Sequence, residues 1–106
     1  MTALTAPSLN AGLVRLFADP LRLRIVLLLA VEELCTCHLV AETGAKQPTV
    51  SHHLRLLKDA GVVVAEPVGA YTYYRQLPDA LLELGQALQT LGRQATTASR
   101  RRLPCD

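Results

Sequence analysis

The stretch GAKQPTVSHHLRLLKDAG, residues 44–61, decides the fold of this 106-residue chain. Pro48 is typical of a helix start, because the N–H that proline lacks is not needed there. Gly61 is typical of a helix end. Between them, three aliphatic residues recur at intervals of four and three and so share one face of a helix: Val50, Leu54 and Leu57. This pattern predicts an amphipathic helix that follows a tight turn at 44–46.

The opposite face of this predicted helix is polar and positively charged. No acidic residue occurs between Glu42 and Asp59. Basic side chains neutralise DNA phosphates, polar side chains bond to base edges, and a helix start binds phosphate through its dipole. We therefore expect DNA contacts from seven residues: Lys46, Gln47, Thr49, Ser51, His52, Arg55 and Lys58. His53 lies nearer the apolar face, where we expect a hydrogen-bonded packing role.

Three shorter helices are predicted before this one. We expect the first over about 9–18 with Ser8 as its cap, and the second over 20–31 with Asp19 as its cap. The third is short and covers roughly 35–43. Together with the turn and the helix after it, this third helix predicts a helix-turn-helix, a motif that places its second helix in the DNA major groove.

After Gly61 the hydrophobic periodicity changes to two. Residues 62–65 and 71–75 are rich in valine and tyrosine, and turn-forming residues at 67–70 separate them, so the segment predicts a β-hairpin. A last helix is expected over 78–95. The predicted fold class is therefore mainly α with a β-hairpin wing, a winged helix-turn-helix.

Length and composition indicate one folded domain with two short flanking segments. The chain has a mass of 11.5 kDa and is 50% hydrophobic, which suffices for one aliphatic core. We expect this domain over 8–95, between a flexible arm at 1–7 and a basic, cysteine-containing tail at 96–106. The net charge of +2 alone indicates no partner. The longest apolar run, 25–31, is too short for a bilayer, and the first residues do not have the pattern of a signal peptide, so we expect a cytoplasmic protein without a membrane partner.

Three cysteines carry the most reactive chemistry in the sequence. Their odd number argues against a disulfide scaffold, and in a reducing compartment their thiols are available to metals or oxidants. Two neighbouring thiolates, Cys35 and Cys37, select soft ions such as arsenite, antimonite, cadmium, lead or copper(I). Residues two positions apart lie about 200° apart on an ideal helix, so we expect one ion to bind both only by unwinding the first turn of the third helix and shifting the DNA-reading helix. The alternative is that one or both of the cysteines are simply small buried residues.

Four segments of the chain resemble the ArsR/SmtB family of bacterial metal-sensing repressors: ADPLRLRI at 18–25, ELCTC at 33–37, QPTVSHHL at 47–54 and AGVV at 60–63. The resemblance as a whole extends over about residues 12–92. The resemblance implies a homodimeric repressor that occupies double-stranded operator DNA and leaves it when a toxic metal ion or metalloid binds. It also implies that the first and last helices form the dimer interface, with six residues expected there: Leu13, Phe17, Leu81, Leu84, Leu88 and Leu91. The leucines of the last helix are spaced three, four and three apart, which by itself is typical of a helix that packs on another helix.

The Cys-x-Cys spacing resembles that of the arsenic sensors, and of the cadmium or lead sensors, in this family. It implies arsenite or antimonite as the inducer held by Cys35 and Cys37, cadmium or lead as the alternative, and no organic cofactor. Trivalent arsenic takes three thiolates, and Val40 stands where some arsenic sensors carry a third cysteine. Cys105 is then either the third ligand or an uninvolved thiol. His38 stands where the family often has aspartate, and we expect an exposed polar residue there or a borderline ligand for zinc or cadmium.

Other functions remain open at the level of the sequence. The same thiol pair could make the repressor responsive to oxidants through a disulfide. A thiol enzyme, such as an arsenate reductase, would need a Cys-x-x-Cys pair or an anion-binding loop, and neither is visible, so we expect no enzyme. The wing carries Ala70 where the family usually has a basic residue, so Arg75 or the arginines at 100–102 would have to supply that charge.

Overall fold

The winged helix-turn-helix predicted from the sequence is confirmed. The computed structural model describes residues 9–98 and 100–105, and the arm predicted at 1–7 and the cap predicted at Ser8 lie outside these residues. Five helices and three strands follow one another in the described chain: α1 Ala11–Phe17, α2 Pro20–Leu29, β1 Leu34–Cys35, α3 Thr36–Thr43, α4 Gln47–Asp59, β2 Val63–Val68, β3 Tyr71–Gln76 and α5 Pro78–Thr97.

The first two helices begin at side chains that accept hydrogen bonds from free backbone N–H groups. Asn10 caps α1 through its Oδ1, which accepts from the N–H of Leu13 at 3.0 Å, so α1 starts about two residues later than the sequence prediction. Asp19 caps α2 as predicted, with its Oδ1 accepting from the N–H groups of Leu21 and Arg22 at 2.9 and 3.0 Å. Asp19 lies at the junction between α1 and α2, so its cap sets where the second helix begins.

The core lies between α2, α3, α4 and the start of β2. The three residues predicted on the buried face of α4 are fully buried there. Apart from Cys35, the buried core residues of the described chain are aliphatic, and the largest fully buried side chains are Ile25, Leu39, Val50, Leu54, Leu57, Val62 and Val63. Burial of this face leaves the opposite, polar face of α4 at the surface.

The wing is part of a three-stranded antiparallel sheet with the order β1-β3-β2. Strand β1 was not predicted, because two residues are too short to carry a periodic signal. Its residues Leu34 and Cys35 pair with Tyr74 and Tyr73 of β3. This pairing attaches the start of α3 directly to the wing.

Helix α5 is 20 residues long, yet none of its residues is buried. Leu81 packs against the core together with Leu13 and Phe17 of α1. Leu88 and Leu91 are 50% and 38% exposed. Of the predicted interface residues, Leu13, Phe17 and Leu81 thus pack against the core, whereas Leu88 and Leu91 form an uncovered apolar stripe. Dimerisation itself stays a prediction. No helix in the described part of the chain has the length and apolar character needed to span a membrane.

Candidate thiol site and nucleic-acid interface

The sulfur atoms of Cys35 and Cys37 lie 2.8 Å apart. Cys35 is not in the helix but is its N-cap, with extended backbone at φ −87° and ψ 170°, whereas Cys37 lies in the first turn of α3. The extended residue turns the Cys35 side chain back over the helix start. The site therefore brings two of the three cysteines together.

This geometry corrects the mechanism expected from the sequence. The estimate of about 200° between the two side chains assumes that both residues are helical. Because β1 pairs Cys35 with Tyr73, Cys35 is held in the extended conformation before the helix begins. The prediction that one ion reaches both thiols only by unwinding the first turn of α3 is wrong, since the two sulfurs already meet while that turn is intact.

His38 completes the immediate surroundings of Cys35. Its Nδ1 accepts a hydrogen bond from the backbone N–H of Cys35 at 3.1 Å and lies 3.2 Å from the Cys35 sulfur. Its ring meets that of Tyr73 edge to face, with the centroids 5.9 Å apart. His38 is exposed, as expected, but it also has a structural role: it closes the N-terminus of α3 in the manner of a capping box.

The two thiols differ in their readiness to ionise. Burial opposes the Cys35 thiolate, but hydrogen bonds from the Cys37 thiol and from backbone N–H groups at the start of α3 outweigh burial and lower the pKa of Cys35. The same hydrogen bond with Cys35, together with burial, raises the pKa of Cys37. Cys35 is therefore the first of the pair to become a nucleophilic thiolate, and Cys37 shares its remaining proton with it.

The thiol pair opens onto a cleft of about 330 Å³ between α3, α4 and the wing. Three separate parts of the chain line this cleft. The thiol segment contributes one wall, Gln47 at the start of α4 contributes the second, and the tip of the wing contributes the third: Ala70, Tyr71 and Thr72. A ligand at the two sulfurs would lie in the same cleft as the start of α4, where DNA contact is predicted, and as the tip of the wing.

Cys105 is exposed in the tail. Among residues 9–98 and 100–105, no three Cys, His, Asp or Glu side chains are grouped so that they could hold a metal ion. The two alternatives for Cys105, a third ligand or an uninvolved thiol, therefore both stay predictions.

The predicted DNA-contacting residues lie on the accessible side of α4, at its two ends and along one groove. Ser51, Arg55 and Lys58 line a groove of about 170 Å³ together with Tyr74 of the wing. The residues exposed at the surface are Lys46, Gln47, Thr49, His52, Arg55 and Lys58, and Ser51 is half-buried. This face has the composition that phosphate contact and base readout require.

His53 has the packing role predicted for it. Its Nδ1 lies 3.1 Å from Nη1 of Arg22, whose Nε in turn donates to the carbonyl oxygen of Leu16 at 2.8 Å. Sequence reasoning missed Arg22 as the partner, because the two residues are 31 positions apart. It also missed the wing residues of the cleft, since only the unforeseen pairing of β1 brings them to the thiols.

The sequence and the fold are both similar to those of known transcriptional regulators. The family model described as bacterial regulatory protein, arsR family, matches residues 19–64. An uncharacterized HTH-type transcriptional regulator of Methanocaldococcus jannaschii is 40% identical over 75 residues, which are 70% of this chain and 84% of that protein. A solved structure of a possible transcriptional regulator for arsenical resistance is similar with a TM-score of 0.70 and 30% identity, covering 86% of this chain and 100% of the other.

An arsenical resistance operon repressor is among the similar proteins. The repressor of Escherichia coli K12 is 40% identical over 67 residues, which are 62% of this chain and 57% of the repressor. The chain thus spans little more than half the length of that relative.

Proposed function

This chain belongs to the arsR family of bacterial regulatory proteins, and on this premise we propose that it is a repressor whose inducer, arsenite or antimonite, binds to Cys35 and Cys37. Members of the family are DNA-binding transcriptional regulators, so the chain is a transcriptional regulator and not a thiol enzyme. Arsenical-resistance and SmtB-type relatives support a metal or metalloid ligand. The identity of the inducer, and of the residues that bind it, is the part that we propose.

One observation carries the proposal: two sulfurs lie 2.8 Å apart at the base of a cleft between the recognition helix and the wing. Soft thiolates favour trivalent arsenic and antimony over hard cations. The lowered pKa of Cys35 supplies a thiolate for the first bond to arsenic. The second thiol is already within reach, so the site needs little rearrangement to hold the ion.

The walls of the cleft indicate how an inducer bound to Cys35 and Cys37 lowers the affinity for DNA. Gln47 begins α4, and Tyr71 begins the returning strand of the wing. Cys35 itself is paired with Tyr73 in the same sheet. An ion between these elements changes the position of the wing relative to α4, and therefore the fit of both to one duplex. Linkage then requires that DNA and inducer weaken each other by the same factor.

The uncovered stripe of α5 supports a homodimer. A helix that buries none of its residues gains little from folding against its own chain, and Leu88 and Leu91 remain exposed. Pairing with a second copy would cover these leucines and place two recognition helices on an inverted repeat. We propose that this dimer occupies operator DNA in the cytoplasm.

The test measures operator binding with and without arsenite. A duplex selected by the protein from random sequences is labelled, and its affinity is followed by fluorescence anisotropy as arsenite is added. We expect arsenite to release the wild-type protein. Cys35→Ser and Cys37→Ser should bind the duplex as before but resist release, because serine preserves the size of the side chain and suits an N-cap. Release that persists in both variants would refute the site.

Cadmium and lead are tested in the same assay. They use the same thiols, and the order of potency among arsenite, antimonite, cadmium and lead identifies the inducer. The substitution Arg15→Gln, at an exposed residue of α1, controls for general loss of binding. Potency that favours cadmium or lead would replace the arsenite assignment without changing the site.

The separation of 2.8 Å also favours a second candidate, a switch driven by oxidation. The Cys35 thiolate would attack peroxide to form a sulfenic acid and release water after protonation, and the Cys37 thiol would then displace a second water to form a disulfide. The peroxide is reduced and the two thiols are oxidised. Release by peroxide without any metal, reversed by dithiothreitol, would support this candidate over the arsenical one.

A further inference from the structure

The side chain of Arg22, on α2, makes polar contacts with two other helices. Its Nε donates to the carbonyl oxygen of Leu16 at 2.8 Å. This carbonyl lies in the last turn of α1, where a helix leaves its carbonyls without backbone partners. The Nη1 of Arg22 lies 3.1 Å from Nδ1 of His53, in the middle of α4. One half-buried side chain thus connects α1, α2 and α4.

An arginine suits this junction better than any other cation. The N–H groups of a guanidinium point in fixed directions and can reach two separate acceptors, whereas lysine offers all its donors from one nitrogen. The backbone of Arg22 is held as well, because its N–H donates to Oδ1 of Asp19 at 3.0 Å. With Leu16 and Asp19 holding Arg22 from one side, the contact with His53 sets the position of α4 relative to the first two helices.

We propose that Arg22 is a positioning residue for α4 that acts through His53, and that the affinity for operator DNA falls when His53 gains a proton. The inference rests on the proposed function only in taking α4 as the helix that contacts DNA. It goes further in naming the contact that holds this helix and in naming acidification as a second signal. Neither the thiols nor the inducer takes part.

The direction of the effect follows from hydrogen-bond chemistry. A neutral imidazole can accept from Arg22, but a protonated one carries N–H groups on both nitrogens and faces a guanidinium that has no acceptor. The charged groups around His53 are Asp19 and Arg22 from the start of α2 and His52 beside it on α4. Burial is the main reason why the pKa of His53 lies below its ordinary 6.5, so the contact is present above pH 6.5 and breaks as the pH falls through that lower value.

The place of His53 on α4 connects this contact to DNA. His53 directly follows His52 and lies one turn after Thr49, two of the residues predicted to contact the duplex. Binding groups must be held within about 0.5 Å of their productive positions, so a shift of this turn misplaces several contacts at once. Because operator then prefers the neutral form of His53, linkage requires that protons and operator weaken the binding of each other.

The experiment measures operator affinity as a function of pH. Labelled operator is titrated with the full chain by fluorescence anisotropy between about pH 8 and pH 5 at constant ionic strength, and circular dichroism identifies the pH range in which the chain is folded. A proton on the exposed His52 would attract phosphate, so His52→Gln is the reference protein and all further changes are made in it. We expect its Kd to rise about tenfold or more on acidification, with a limit of about tenfold per protomer for each pH unit below the pKa of His53.

His53→Gln tests the titrating group. Glutamine keeps an acceptor for Arg22 but cannot gain a proton, so the rise of Kd on acidification should be several times smaller than in the reference protein. The remaining histidine, His38, is the same in both proteins and contributes equally to both profiles. Profiles of equal steepness in the two proteins would overturn the inference.

Arg22→Lys tests the positioning residue. The charge is kept but the two-way contact is lost, so the Kd at pH 8 should rise and its dependence on pH should become as weak as in His53→Gln. Arg15→Lys makes the same exchange at an exposed residue of α1 and should match the reference protein at every pH. A purely structural role of Arg22 would raise Kd but keep the pH dependence, and that result would also overturn the inference. The comparison with His53→Gln decides the matter where Arg22→Lys does not fold.

Arsenite separates this inference from the proposed function. If arsenite releases the operator at pH 8 and residue 53 has no influence on the pH profile, the inference fails and the proposed function stands. If the pH profile depends on residues 22 and 53 as expected and arsenite releases nothing, the assignment of the inducer fails and the positioning role stands.

Discussion

The guanidinium Nη1 of Arg22 lies 3.1 Å from Nδ1 of His53, which joins α2 to the recognition helix. Because a guanidinium only donates, His53 must accept, and its imidazole must be neutral. Burial lowers the pKa of His53, Asp19 opposes this shift, and the positive charges of Arg22 and His52 add to it. The neutral form is therefore favoured by folding.

Stability should consequently fall as His53 becomes protonated. A folded-state pKa below the ordinary 6.5 gives a contribution that is present above pH 6.5 and is lost as the pH falls through the lower value. We expect the melting temperature of the wild type to drop in this range. His53→Gln keeps an acceptor but cannot titrate, so its melting temperature should drop less, while the exposed His52→Gln should behave like the wild type. Identical pH profiles in all three proteins would contradict the assignment.

Local patterns predicted most of the fold. The spacing of Val50, Leu54 and Leu57 identified the buried face of α4, and Asp19 identified the start of α2, because both signals are contained within one or two helical turns. The start of α1 was misplaced, since Asn10 competes with the upstream serine as a cap. Strand β1 was missed because its two residues are defined only by pairing with a distant strand.

The candidate site was predicted in composition but not in geometry. The sequence identified Cys35 and Cys37 as neighbouring soft ligands. It could not place Cys35 outside the helix, because that depends on its pairing with Tyr73, 38 positions away. For the same reason the contribution of Tyr71 to the cleft was not foreseen. Hydrophobic periodicity reports only on residues that are close in the sequence, so it does not reveal which distant strands pair.

Lys58 should contribute to DNA affinity mainly through phosphate. It lies at the end of α4, exposed, in the groove with Ser51 and Arg55. Loss of one phosphate contact reduces the slope of log K against log salt by about 0.9, and a dimer loses two, so Lys58→Gln should reduce the slope by about 1.8. Anisotropy titrations over a series of salt concentrations measure this slope. Arg15→Gln removes the same charge on α1 and should leave the slope unchanged; an equal decrease would mean that the effect is one of net charge alone.

The exposed stripe of α5 should be the site of dimerisation. Leu88→Glu would place a carboxylate without a partner in an apolar interface. This costs roughly 3 kcal/mol or more of dimerisation free energy, so the dissociation constant of the dimer should rise at least about a hundredfold. Sedimentation equilibrium should then give a monomer at concentrations where the wild type is a dimer. Leu82 is 68% exposed and lies on another side of α5, so Leu82→Glu should leave the dimer intact. A dimer that survives Leu88→Glu but not Leu82→Glu would move the interface to the other face.

Arsenite bound to this chain should have two sulfur neighbours and one oxygen neighbour. The two sulfurs that meet in the structure belong to Cys35 and Cys37, and Cys105 is exposed in the tail beyond α5. X-ray absorption at the arsenic edge counts the donors directly. We expect the same spectrum for the wild type and Cys105→Ser, and loss of one sulfur in Cys37→Ser. Three sulfurs in the wild type and two in Cys105→Ser would instead establish the tail cysteine as the third ligand.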